Sequence, residues 1–157
     1  FRSQERILEQ LQDDFRFMQR ASEPSDTGWR GFFLPLLDDN HLSIIQFFLR
    51  QEHIRKHHEK TKNDNDTVQF VVEVNLTTIG TMQIEGHIKN KELNLVIRTK
   101  RFLKSHFKQG IERVFINALT TSELAGKLTF RTHSQLPPLP IDELNGYIRP
   151  SIPSTII

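Results

Sequence analysis

A chain of 157 residues with 36% hydrophobic and 25% charged residues has the size and make-up of one folded domain, extended by a helix or a tail, and not of a disordered segment. The absence of cysteine rules out a disulfide framework, a thiolate zinc site and a cysteine nucleophile, and fits a reducing compartment. The net charge of +2 conceals an asymmetry: residues 1–85 hold 10 Lys/Arg against 14 Asp/Glu, whereas residues 86–113 hold eight against two, a local basic surface suited to nucleic acid, an anionic membrane or an acidic protein.

The first residue is Phe1, with no methionine and no basic-then-apolar leader, so the chain reads as a part excised from a longer protein, with no visible secretory signal. No run approaches the roughly 20 apolar residues of a membrane span. Residues 1–21 read as a helix: in "SQERILEQLQDDFRFMQRA", Leu8, Leu11, Phe15 and Met18 recur at helical spacing. "SEPSDTG" breaks it with Pro, Gly and turn formers. "WRGFFLPLLDDNHLSIIQFFLRQ" sets two Phe-rich runs around a polar "DDNH", the pattern of a β-hairpin turning at 38–41, with Pro35 suited to an edge strand. The polar stretch "EHIRKHHEKTKNDNDT" (52–67) reads as an exposed, mobile connection.

Three runs of strict alternation follow. Val68, Phe70, Val72, Val74 and Leu76 oppose Gln69, Val71, Glu73 and Asn75; Met82, Ile84 and Ile88 oppose Gln83, Glu85 and His87; Leu93, Leu95 and Ile97 oppose Asn94, Val96 and Arg98. With short turns at "TTIG" and "KNK", they predict an antiparallel meander with one apolar and one wet face. "FLKSHFKQGIERVFINAL" carries Leu103, Phe107, Ile111, Val114, Phe115 and Ala118 as a helical stripe able to cover the apolar face. "KLTFRTH" supplies a last strand after the "SELAG" break. The expected fold class is therefore α+β: an antiparallel sheet made of a hairpin, a three-strand meander and a final strand, covered by one main helix, with an N-terminal helix in addition. Residues 28–133 form the domain, and residues 134–157 read as a Pro-rich flexible tail, extended or disordered from Pro137 and apolar enough near its end to dock on something.

Chemistry is mostly missing. His53, His57 and His58 include an i, i+4 pair able to bring two imidazoles together on a helix. Neighbouring Arg55, Lys56 and Lys60 repel a cation, however, and a solvated linker accounts for them better. Asp38 and Asp39 suit the hairpin turn, and Asp13 and Asp14 a solvated helix face; neither pair comes with a motif that would tune it for acid–base work. The glycines are scattered and open no phosphate-binding loop, and no serine stands in a nucleophile elbow. No catalytic residue, cofactor or metal is expected. The strongest chemical feature is the basic run Lys100, Arg101, Lys104 and Lys108, which serves equally as a solubilising helix face. Stacking on nucleic-acid bases would want aromatics on the wet sheet face, and that face lacks them. Gly80 is a turn glycine with positive φ, and beside it Ile79 is expected as an exposed knob for a partner.

"FVVEVNLTTIGTMQIEGHI" and "KELNLVIRTKRFLKSHFKQGIERVFINALTTSELAGKLTF" together resemble the C-terminal domain of bacterial flagellar hook-length control proteins, especially the divergent alphaproteobacterial forms. In that family a strand ends in Leu-x-x-Leu-Gly and is followed by two strands, a helix and a final strand. Leu76, Thr77, Thr78, Ile79 and Gly80 take the corner's place, with Ile79 for leucine. "GWRGFFLPLLDDNHLSIIQFFLR" looks like the tryptophan-plus-hairpin that precedes the domain in the alphaproteobacterial forms, so the likeness covers about residues 28–133. Many relatives have proline at the corner where this chain has threonine, the Gln-rich segments common near their ends are not seen, and the tail after Pro137 matches nothing in the family.

The resemblance implies a non-enzymatic role. Such domains, in the bacterial cytoplasm or exported through the flagellar type III apparatus, contact the cytoplasmic domain of the export-gate switch protein and end hook export in favour of filament export. Hook and hook-cap proteins are further candidate partners, and residues 76–80 are the implied contact. The alternative reading of the residues is a small basic α+β nucleic-acid-binding domain using the surface at 89–113.

Overall fold

Alternating residues become strands here because each run can shed one face from water while its backbone pairs sideways. The computed structural model describes residues 2–23, 27–38, 40–52 and 66–140. The fold is α+β. In chain order it runs α1 (Arg2–Ser22), β1 (Arg30–Asp38), β2 (His41–Glu52), β3 (Thr67–Leu76), β4 (Gly80–Lys89), β5 (Glu92–Thr99), α2 (Ser105–Thr121) and β6 (Ala125–Thr132). The six strands lie side by side in their sequence order, with β1 at one edge, where Pro35 loses no ladder bond on its open side.

The first four pairings are antiparallel, but β6 runs parallel to β5, which corrects the expectation of an antiparallel sheet throughout. Element lengths explain it. A helix of 17 residues rises about 25 Å, which is close to the length of the eight-residue β5 at about 3.3 Å per residue. α2 therefore carries the chain back to the end where β5 began, and the last strand must run alongside it.

Both faces of the sheet bury apolar side chains. On one, Val74, Met82 and Ile97 are buried with Leu76, Ile84, Leu128 and Phe130, and Ile111 of α2 packs onto them. On the other, Phe48 is fully buried against Trp29 and Leu139, with Phe33 and Val71 beside them. The expected wet face is thus wet only in part. Val71 belongs to a core, and Gln83 is 3% exposed, donating from Nε2 to Glu73 Oε2 at 3.0 Å and to the Pro137 carbonyl at 2.8 Å. Water reaches the same face farther along, where Arg98 pairs with Glu85 at 2.5 Å. The first part of the expected tail lies on this face, with Leu139 3% exposed. A phenylalanine fully withdrawn from water, as Phe48 is, contributes about 1.5–3 kcal/mol. Alternation could not show the second core, because Trp29 and Leu139 stand outside any strand.

The helices differ from their expected stripes. In α2, Phe107, Ile111, Phe115 and Leu119 turn toward the sheet in steps of four, and Phe115 is buried. Val114, 69% exposed, and Ala118 turn away, because neighbours in a helix point about 100° apart. α1 touches β1, yet Ile7, Leu8 and Phe15 remain exposed. The side chains of Leu11 and Met18, the connection at 53–65 with its histidines, Asp39 and residues 141–157 lie outside the described residues. No helix among the described residues is long and apolar enough to cross a membrane.

Candidate binding groove

The corner between β3 and β4 is built by three residues, Thr77, Thr78 and Ile79, closed by the Leu76–Gly80 pair. Gly80 has φ +83, and a Cβ built there would meet nothing within 4 Å. The position therefore requires glycine's backbone conformation and not its small size. Thr77 and Thr78 are exposed, whereas Ile79 is half-buried. Ile79 is thus not the fully presented knob expected, because its side chain forms one wall of a hollow.

The opposite wall comes from the segment joining β5 to α2. Thr99, 2% exposed, closes β5 and donates from Oγ1 to the Arg101 carbonyl at 2.7 Å, which fixes the start of that segment. Leu76, Thr78 and Ile79 face Arg101, Phe102, Leu103 and Lys104 across an open groove of about 410 Å³, and His106 and Phe107 line its remaining side. The two sets of residues singled out in the sequence, the corner and half of the basic run, therefore line one groove. Lys100 is exposed just outside it, and Lys108 turns toward the far side, its Nζ 5.5 Å from the centre of the Phe130 ring.

The site's electrostatics are one-sided. From Leu93 to Ile111 the sequence contains no Asp or Glu, and among the described residues no carboxylate lines the groove. Among the described residues, Lys100, Arg101 and Lys104 enter no ion pair. α2 starts beside them with Lys104 at its N-cap, no side-chain cap and no acid in its first turn, so the positive end of the helix adds to the same field.

Phe102 is the residue that sequence reasoning missed. It is 86% exposed, the most exposed large hydrophobic among the described residues, and it lines both this groove and a second hollow formed by Thr99, Leu103, Lys108 and Phe130. The signal was present in "KRFLK": a phenylalanine set among cations, between the period of a strand and that of a helix, has no core to enter. Thr99, as the pin of the loop, had no such signal.

Among the described residues no three His, Cys, Asp or Glu side chains are grouped to hold a metal. Compared with known protein families, with curated proteins and with solved structures, the chain matches none.

Proposed function

We propose that this chain is a non-enzymatic binding module that switches type III export from hook to filament subunits by contact with the cytoplasmic domain of the flagellar export-gate switch protein. The observation that carries the reading is the groove itself. Leu76, Thr78 and Ile79, from the corner that the hook-length-control resemblance marks for contact, form one wall, and a basic loop without ion pairs among the described residues forms the other. The order strand, corner, strand, strand, helix, strand is also the order of β3 through β6. Apolar walls supply affinity, and the cations set encounter rate and orientation. The test is a calorimetric titration of the 157-residue chain with that cytoplasmic domain at two salt concentrations. Saturable heat, weaker at the higher salt, is expected; a folded chain that gives no heat at either salt rejects the reading.

One observation favours a second reading, the binding of single-stranded nucleic acid. Phe102 is an exposed aromatic flanked by Arg101 and Lys104, the combination on which a base stacks while its phosphates are neutralised. That reading predicts steep salt dependence and loss of affinity when Lys104 and Lys108 are replaced.

A further inference from the structure

Resting on the binding reading above, we propose that the groove takes an extended acidic segment of the protein partner, with an apolar side chain seated between Ile79 and Phe102 and carboxylates on either side of it held by Arg101 and Lys104. The charge pattern selects this occupant. Among the described residues the groove's lining joins the half-buried Leu76, Ile79, Leu103 and Phe107 to the exposed Arg101 and Lys104, with no carboxylate. Its cations lack internal partners among the described residues, so an incoming carboxylate displaces no existing ion pair. A basic segment is repelled, and an uncharged apolar one leaves the cations unmatched. A polynucleotide fits less well. It needs a track of cations and several stacking surfaces, whereas here one exposed phenylalanine stands over a groove whose walls include Leu76, Ile79, Leu103 and Phe107.

Phe102 acts as a movable wall. It is exposed and lines both hollows, so its ring can fold over a bound side chain without breaking any packing of the core.

The experiment titrates the full chain with four probes: a short peptide alternating glutamate and leucine, its glutamine counterpart, its lysine counterpart, and a single-stranded oligonucleotide of matched length. The switch protein's cytoplasmic domain is titrated in parallel. The acidic peptide should bind at least about tenfold more tightly than the neutral one, and the basic one should not bind. Lys104→Glu combined with Arg101→Glu should abolish that preference, and Phe102→Ser should weaken binding of every peptide that binds. Neither variant threatens the fold, since Phe102 is exposed and a carboxylate at the start of α2 favours the helix.

Acidic-peptide binding that competes with the cytoplasmic domain supports both the groove chemistry and the export reading. Acidic-peptide binding without any binding of that domain supports the groove chemistry and removes the export reading. Binding of the domain that ignores the charge reversal and Phe102→Ser overturns the inference and leaves the export reading standing. An oligonucleotide that binds more tightly than the acidic peptide and displaces it also overturns it.

Discussion

The two ends of the β4–β5–β6 sheet are built on opposite principles. At one end, β4 turns into β5 through Asn90 and Lys91, with φ of 52° and 60°, the two-residue turn whose twist matches that of the strands. Beside it α2 stops with Glu123 at φ 54. Leu124 donates its N–H to the Leu119 carbonyl at 3.0 Å and Glu123 donates to that of Thr120, the pair of bonds that closes a helix by a left-handed residue. Ala125 then donates to the Lys91 carbonyl at 3.0 Å and begins the parallel ladder. Carbonyls are satisfied there even though Lys91 and Glu123 occupy conformations that suit glycine better.

At the other end α2 begins without a side-chain cap, and cations and an exposed phenylalanine collect around a groove. One end accepts backbone strain to close the fold, and the other forgoes available stabilisation and keeps a surface.

Mutations separate the two ends by what they change. The largest effect is expected from Ile79→Asp, which puts a carboxylate into an apolar wall: binding of the switch protein's cytoplasmic domain should weaken by about 2 kcal/mol or more, measured by calorimetry, with a two-state melt retained. Gly80→Val should cost about 1–2 kcal/mol of stability, read from the denaturant midpoint, because the corner needs φ +83. Lys104→Asp sharpens the contrast most. It supplies α2 with the missing cap and should stabilise the fold by about 1 kcal/mol while weakening binding, so stability and affinity move in opposite directions. At the closed end, Glu123→Gly should stabilise by about 0.5–1 kcal/mol with no change in affinity. A loss of affinity there would mean that the closed end also contacts the partner.

Most of the sheet was legible because period-two alternation in β3, β4 and β5 is a local property, and the hairpin at 38–41 advertised itself by its polar turn. What escaped is non-local. The parallel direction of β6 follows from matching the length of α2 to that of β5, and the second core depends on Trp29 and Leu139 arriving from outside the strands to meet Phe48. Gly86 is a similar case. It reads as one more strand residue, yet a Cβ there would fall 2.0 Å from an atom of the Phe70 ring, which crosses the strand on that face. Of the groove, the corner and the cations Arg101 and Lys104 were legible in the sequence, but Phe102 and the meeting of the two sets at one groove were not. That depends on the corner and the loop after β5 emerging at the same end of the sheet, close to the Met82–Thr99 pair.

The most direct test of the open end as the binding end is one calorimetric series against the switch protein's cytoplasmic domain, comparing the unaltered chain, Ile79→Asp and Glu123→Gly. The account predicts saturable binding for the first, loss of it for Ile79→Asp and an unchanged affinity for Glu123→Gly. Equal affinities for all three folded proteins would contradict it and place the contact away from the groove.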